Sequence, residues 1–192
     1  MKRLLFFFLM CLPMMAGAQV LTIEEATAIV KEKGVLEQKS VVIVDGVSKN
    51  TLYRRAMEAL SDWTGPEGRS KAGIDYSDKE EGIVTYKGVY YNGYRKLMLS
   101  SLPFYTDFTL KVRCKDGKAQ IAVTVPSMHT ILDDGSKKTW SMREIVESQD
   151  NINPKKLEKA KKKTNAISAR EIVYILLQSM ESALKKAEDD DF

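Results

Sequence analysis

Four acidic side chains lie close together in the segment DYSDKEEG, where carboxylates could ligate a metal ion or form a catalytic acid and base pair. These residues are Asp75, Asp78, Glu80 and Glu81. A calcium loop counted from Asp75 needs an oxygen ligand at position five and glycine at position six, where the chain has Lys79 and Glu80. The polar segment suits the tip of a β-hairpin, where acids point apart into water. We therefore expect a hairpin tip, with a weak cation site as the alternative.

His129 and Cys114 are the other candidates for reactive chemistry. One histidine and one cysteine cannot complete a closed zinc site, which takes four such ligands. Cys114 falls on the apolar side of a predicted strand, so we expect a buried, small hydrophobic residue. A triad around His129 stays open, because triads assemble from distant positions. Since no nucleophile elbow, P-loop or dinucleotide fingerprint occurs, we expect no enzymatic activity, catalytic residue, metal or cofactor.

Two tyrosines flank Asn92-Gly93, a dipeptide that favours a type I′ turn, in the segment VTYKGVYYNGYRKLML. This pattern predicts a hairpin with Tyr91 and Tyr94 facing one another at its tip and Lys87 and Lys96 on the same side. A cross-strand aromatic pair with a structural role is one interpretation. The other is an exposed platform for a sugar or a peptide, and these four side chains are the candidate ligand-binding residues.

The N-terminus has the pattern of an export signal: a positive start, an apolar stretch over 4–15 and small residues at a cleavage site. The predicted signal is 1–18, cleaved between Ala18 and Gln19. Its apolar run is shorter than the ~20 residues that span a bilayer. An uncleaved anchor and lipid attachment at Cys11 are alternatives. We expect an exported protein, periplasmic or associated with the outer membrane, without a transmembrane segment in the mature chain.

Charge and cysteine content narrow the class of protein. The formal net charge of +4 falls by two when the signal leaves with Lys2 and Arg3. Nucleic-acid binders usually carry a strong basic excess, so we expect no nucleic-acid partner. A single remaining cysteine excludes an intramolecular disulfide. The lysine run within 155–163 predicts a solvated helix face or, alternatively, a site for anionic lipid or polysaccharide.

In chain order the predicted elements are a helix, a strand, a second helix, a series of antiparallel strands and a closing helix. Residues 19–40 form an N-terminal helical segment, with Thr22 and Glu25 as a capping box and Gly34 as its stop. VVIV over 41–44 predicts a strand. The next segment predicts a helix, because its apolar residues recur at helical spacing. These are Leu52, Ala56, Ala59, Leu60 and Trp63.

The clearest hairpin pivots on Asp116-Gly117, which again favours a type I′ turn. Pairing outward from that turn gives one apolar face and one mostly polar face, as expected for a sheet with one side in water. The apolar pairs are Cys114 with Ala119, Val112 with Ile121, Leu110 with Val123 and Phe108 with Val125. The other pairs are Arg113 with Gln120, Lys111 with Ala122 and Thr109 with Thr124.

The predicted domain core spans 41–127 and is followed by an irregular, lysine-rich insertion over 128–165. Within the insertion, SMREIVES predicts a short helix capped by Ser141 and Glu144. Residues 166–187 predict a closing helix that covers the sheet, and 188–192 form an acidic tail.

The segments VDGVSKNTLYRRAMEAL, IDYSDKEEGIVTYKG and KVRCKDGKAQI, in this order of elements, resemble the domain-of-unknown-function family 4468 over Val41 to Val125. The resemblance implies an α+β fold similar to TATA-binding protein, with a curved antiparallel sheet and helices packed on one face. It also implies a secreted protein of Gram-negative bacteria. It implies no reaction, and fold analogy alone does not carry function.

The expected function is an exported binding or interaction module of the cell envelope, whose partner is an envelope protein, a peptide or a glycan. A structural or assembly accessory protein is one alternative, and an enzyme with an unrecognised site is another. An exposed aromatic or concave patch would favour the first, a broad apolar surface the second, and a cleft with perturbed titratable groups the third.

Overall fold

The computed structural model describes residues 19–63, 71–97, 100–150 and 165–186. Helices and strands account for most of this part of the chain. In order they are α1 Ile23–Lys33, β1 Leu36–Ile43, α2 Lys49–Ser61, β2 Lys71–Asp78, β3 Ile83–Leu97, β4 Ser100–Lys115, β5 Lys118–Ile131, β6 Lys137–Ser141, α3 Met142–Asp150 and α4 Asn165–Lys185.

The strands form one open antiparallel sheet in the order β1-β5-β4-β3-β2. β6 also pairs with β5, and it follows β1 along the same side of that long strand. β1 and β2 are the two ends of this order and do not meet, and β6 is a further outer strand. The fold class is therefore α+β, as predicted.

Helices pack on one face of the sheet because alternate strand residues there are apolar. Buried residues of α2 and α4 meet these inward-facing side chains in a single hydrophobic core. Two polar contacts fasten the helices further: Arg55 donates to the Leu184 carbonyl oxygen at 2.9 Å, and Ser40 donates to Glu181. The apolar stripe of α4 is buried at Ile172, Leu176, Met180 and Leu184.

The two predicted helix caps, those of α1 and α3, are confirmed, and α2 is capped as well. Thr22 and Glu25 form the reciprocal capping box of α1, and Gly34 ends that helix with a φ of 77°. Ser48 caps α2 by accepting from Thr51 N–H. Ser141 and Glu144 cap α3 in the same reciprocal manner, with the Glu144 carboxylate 2.7 Å from the Ser141 backbone nitrogen.

The hairpin at Asp116-Gly117 is confirmed in its register from Cys114–Ala119 to Thr109–Thr124. The predicted pairing of Phe108 with Val125 lies at a register shift, where β5 passes through Pro126. Proline lacks an N–H donor and is tolerated in a strand at such a bulge. The strand then continues as far as Ile131.

The predicted hairpin at Asn92-Gly93 is wrong. β3 continues through this dipeptide to Leu97 and pairs with β4, with a register shift between Tyr91 and Tyr94. Gly93 has a φ of 81°, and a β-bulge uses the same left-handed glycine as a tight turn. β3 ends at Leu97 and β4 begins at Ser100, and residues 98–99 lie outside the described part of the chain.

Two predicted boundaries also change. β1 begins at Leu36, so the N-terminal segment 19–40 is not helical throughout. The region 128–165 is regular up to Asp150, because it contains the end of β5, β6 and α3. The lysine run within 155–163 lies outside the described residues.

Candidate functional site

The face of the sheet opposite the helices carries a line of rings across three strands. Tyr91 on β3 is directly opposite Tyr105 on β4, which is directly opposite His129 on β5. The bulge at Asn92-Gly93 returns Tyr94 to the same side. We call Tyr94, Tyr91, Tyr105 and His129 the aromatic row.

The rings of the row are in contact from end to end. Tyr94 and Tyr91 meet edge to face with their centroids 6.0 Å apart, and Tyr91 is 5.5 Å from Tyr105. Tyr105 stacks on His129 at 5.1 Å with an interplanar angle of 16°. Tyr94 is 56% exposed, whereas Tyr91 is 4% exposed. Tyr91 therefore supports its neighbours, while Tyr94 offers its ring to solvent.

A polar cluster lies at the His129 end of the row. Asp107 Oδ1 is 3.1 Å from His129 Nδ1, and Ser127 donates to Asp107 Oδ2 at 2.7 Å. Lys137 Nζ is 3.8 Å from the same carboxylate. We call Asp107, Ser127, His129 and Lys137 the Asp107 cluster.

The charge of Asp107 is set by its neighbours. Burial raises the pKa of this carboxyl group, but hydrogen bonds from His129 and Ser127, together with nearby positive charge, outweigh burial. The pKa is consequently below its ordinary value, and Asp107 is a carboxylate at neutral pH. A charged acceptor at Nδ1 holds the imidazole ring in one orientation.

The arrangement does not form a nucleophilic triad. In a triad the serine hydroxyl is bonded to the imidazole, and the carboxylate holds the opposite ring nitrogen. Here Ser127 and His129 both bond to Asp107, so the imidazole does not accept the hydrogen bond of the hydroxyl. Within the described part of the chain, His129 Nε2 has no hydrogen-bond partner, and it can accept a hydrogen bond from a ligand.

The structure brings together two of the four predicted ligand-binding side chains, Tyr91 and Tyr94, although on a bulge instead of a turn. Lys87 is paired with Thr109 on the same face, and its ammonium group is 3.0 Å from Asp75. Lys96 is opposite Ser101 in the register, and its side chain is not among those described.

Sequence reasoning missed Tyr105, Asp107 and Ser127, and it found no role for His129. The signal was present in the two segments FYTDFT and VPSMHT. Extending the β4–β5 hairpin beyond Pro126, with one extra residue in β5, sets Tyr105 opposite His129 and Asp107 opposite Ser127. Taking Pro126 as the end of the strand concealed the site.

Asp78, Glu80 and Glu81 lie at a hairpin tip, as predicted, because β2 ends at Asp78 and β3 begins at Ile83. Asp75, the fourth acid, lies within β2. The Asp78 carboxylate accepts from the Glu81 backbone at 2.9 Å and from the Tyr76 hydroxyl at 3.2 Å. The backbone bond from Glu81 is the main reason that the pKa of Asp78 is lowered. These bonds organise the turn.

Gly82 closes the acidic turn where a side chain would not fit. Its φ is 67°, and an added Cβ would lie 2.8 Å from the Cys114 carbonyl oxygen.

Across the described ranges, no group of three or more His, Cys, Asp or Glu residues converges as a metal site would.

Cys114 is fully buried, as expected. Burial raises the pKa of its thiol to about 11, so the group is protonated at neutral pH. A protonated, enclosed thiol is neither a nucleophile nor a metal ligand. Cys114 therefore acts as a small apolar residue of the core.

Neither of two pockets outside the row suits a small-molecule ligand. A cavity of about 70 Å³ lies between α2, α4 and the sheet, and its lining includes Trp63, Tyr86 and Met180. Ligand sites usually measure about 300 to 1,000 Å³, so this cavity is a packing gap. A depression of about 390 Å³ beside Tyr53 and Arg54 is wide open to solvent.

The described residues form an open antiparallel sheet with helices on one face, which makes this an α+β protein. We call the opposite face the uncovered face, because no described helix packs on it. Residues 39–128 match the sequence model of a family described as a domain of unknown function (DUF4468) with TBP-like fold. No curated protein matches the chain.

Two crystal structures share this fold. A DUF4468 family protein from Bacteroides ovatus is 13% identical and has a TM-score of 0.57, with 82% of this chain and 90% of that chain covered. A TBP-like protein from Parabacteroides distasonis is also 13% identical, with a TM-score of 0.55 and coverage of 81% and 96%. At this identity the likeness establishes the fold.

Among the helices that the structure describes, none has the length and apolar character needed to cross a membrane.

Proposed function

We propose that this protein is an exported binding module of the cell envelope and that it holds a glycan on the uncovered face of its sheet. The aromatic row, which ends at the Asp107 cluster, is the observation that carries this proposal. Export rests on the signal pattern in residues 1–18.

The chemistry of the row fits a ligand that is apolar on one side and rich in hydroxyl groups at its rim. Tyr94 is exposed and Tyr105 is half-buried, so their rings can pack on the C–H face of a sugar. The Asp107 cluster then supplies a carboxylate, an imidazole and an ammonium group for the sugar hydroxyls. A few convergent polar groups beside aromatic rings are typical of ligand sites.

A glycan is favoured over an extended peptide by the position of the row. Peptides that add to a sheet bind through the free backbone groups of an outer strand. Tyr105 and His129 lie on β4 and β5, which have a strand on both sides at these residues. Tyr91 and Tyr94 lie on the part of β3 beyond Val89, where the described pairing with β2 ends. At the Tyr105–His129 end of the row there is no free backbone ladder, so recognition there depends on side chains.

Binding is favoured over catalysis because the Asp107 cluster contains no activated nucleophile. The Ser127 hydroxyl donates its hydrogen bond to Asp107 and not to His129. The cluster can therefore orient a ligand through hydrogen bonds. It supplies no attacking group.

The test is co-sedimentation of the protein with insoluble polysaccharide prepared from a Gram-negative cell envelope. We expect Tyr94→Ser and Tyr105→Ser each to weaken binding about tenfold, which corresponds to about 1.4 kcal/mol. Tyr76→Ser is the matched control, because Tyr76 is 52% exposed and lies on β2, away from the row. It should bind as the wild type does.

Two outcomes would contradict the proposal. Equal binding by all three variants would show that the row is not the site. Binding that disappears when the polysaccharide is first treated with protease would replace the glycan with a protein or peptide partner. A circular-dichroism melt of each variant separates lost binding from lost folding.

A further inference from the structure

The outer strands β1 and β2 differ in how well they resist pairing with another strand. β2 has a register shift at Asp75 and contains Gly73, and bulges and weakened strands are devices that block edge pairing. β1 pairs with β5 over eight consecutive residues with no register shift. The outer side of β1 is therefore regular.

Backbone groups of β1 face outward in a regular series. Val44 N–H donates to the Gly117 carbonyl oxygen at 2.9 Å, so the groups of residue 44 face the β5 side. Because these directions alternate along an antiparallel strand, the N–H and C=O groups of Val41 and Ile43 point away from the sheet. No described strand lies on that side of β1.

The side chains at the same place are apolar and exposed. Ile43 is 63% exposed and is the most exposed large hydrophobic side chain in the described part of the chain, and Val41 is 50% exposed. Both lie on the uncovered face, since the intervening Val42 is buried against the helices. Exposed β-branched residues next to free backbone groups are typical of a surface that pairs with another strand.

We propose that β1 pairs antiparallel with β1 of a second copy of this chain, forming one continuous sheet across a two-fold axis near Val42. In this register Val41 faces the partner's Ile43, and Ile43 faces the partner's Val41. Both pairs join residues whose backbone groups point outward, as a hydrogen-bonded antiparallel pair requires.

Charge complementarity favours a second copy over a foreign strand. Two residues before Val41 the chain has Lys39, and two residues after Ile43 it has Asp45. About an axis at Val42, Lys39 is opposite the partner's Asp45, and the same pair recurs on the other side. The apolar pair of β1 has a positive side chain before it and a negative side chain after it. The strand is therefore complementary to a second copy of itself, as a two-fold interface requires.

The test is the mass of the purified protein by sedimentation equilibrium at concentrations up to the order of 100 µM, a range suited to a small interface. We expect reversible dimerisation in the wild type. Ile43→Lys should weaken it at least about tenfold, because the substitution places charge against an apolar partner. Ile74→Lys on β2 is the matched control and should leave the dimer unchanged, since Ile74 is also exposed on an outer strand.

A charge reversal tests the register. Lys39→Glu should weaken dimerisation by setting two acids opposite one another, and Lys39→Glu combined with Asp45→Lys should restore it. A wild type that stays monomeric throughout, as it would if β1 bound only a foreign strand, would overturn the proposal. Failure of the combined variant to recover would overturn the register about Val42. Neither outcome bears on the aromatic row, which lies on other strands.

Discussion

The two halves of the β4–β5 pair put different side chains on the uncovered face. Between the Asp116-Gly117 turn and the bulge at Pro126, this face carries exposed residues such as Lys111 and Arg113. Beyond the bulge the same face holds Asp107 and His129, and His129 is only 5% exposed although no described helix covers it.

The two halves differ in where their side chains are buried. In the turn-proximal half, inward residues build the core and outward residues only meet water. In the bulged half, outward residues pack on one another and bury polar groups, which is costly unless those groups are satisfied. This polar cluster lies outside the hydrophobic core, and it is one of the observations behind the proposed glycan site.

The largest expected effect lies in the turn-proximal half. Val112→Asp places a carboxylate where the wild-type side chain is fully buried, so we expect a loss of unfolding free energy of more than about 3 kcal/mol. Lys111→Asp, one residue away on the uncovered face, should change it by less than about 1 kcal/mol. Thermal melts of both variants check this contrast, and equal melting temperatures would mean that the two faces are assigned wrongly.

Within the aromatic row, stability should depend on the buried ring. Tyr91→Ser removes an aromatic side chain that is 4% exposed and should cost about 3 kcal/mol. Tyr94→Ser removes a ring that is 56% exposed and should cost less than about 1 kcal/mol. Urea unfolding of the two variants measures these losses of unfolding free energy. Comparable losses in the two variants would show that the row is a structural pair throughout.

The Asp107 cluster should make stability depend on pH. Because the pKa of Asp107 is lowered in the folded state, the carboxylate stabilises the fold above its unfolded pKa of about 3.9. This contribution is lost as pH falls through the lower, folded value. Asp107→Asn should therefore be less stable than wild type at pH 7, by about 1 to 2 kcal/mol, and the gap should close toward pH 2.

A second measurement tests the geometry of the cluster without unfolding the protein. His129 is the only histidine, so its nitrogen NMR signals need no assignment. With Asp107 as the acceptor at Nδ1, the neutral ring should carry its proton on Nδ1, and Asp107→Asn should reduce that preference. Asp45→Asn, at an exposed turn, is the control. A neutral ring protonated at Nε2 would contradict the arrangement.

The smallest effect is expected at the acidic hairpin tip. Changing Asp78, Glu80 and Glu81 together to Asn, Gln and Gln keeps the turn polar and removes its charge. We expect a stability change within about 1 kcal/mol and no effect of calcium or magnesium on either protein. If calcium raises the melting temperature of the wild type by several degrees and not that of the triple variant, the tip is a cation site.

Local patterns determined a large part of the fold from the sequence alone. Capping residues such as Thr22 and Ser141 predicted where helices begin, because a cap satisfies backbone donors within one helical turn. Alternation about Asp116-Gly117 predicted which strand residues enter the core, since side chains of a strand alternate between faces. Neither signal depends on distant parts of the chain.

The tertiary structure alone decided whether two glycine-containing dipeptides turn the chain. Gly93 and Gly117 have similar positive φ values, of 81° and 73°, yet only the second ends a strand. Around Gly93, β4 lies alongside both flanks of the dipeptide, so the left-handed residue forms a bulge. A local preference for positive φ does not specify which of the two forms.

The candidate site likewise consists of residues that the sequence predicted and residues that only the tertiary structure brought together. Tyr91 and Tyr94 were found from the sequence because they are three residues apart. Tyr105 and His129 meet only because two bulged strands share one register, and Asp107 is twenty residues from the Ser127 hydroxyl that it binds. Residue types and short spacings carry information about elements and their faces. Whether residues of separate strands meet at one site depends on the pairing register of every strand in the sheet. That register follows from the free energy of the whole sheet, so it is seen only in the tertiary structure.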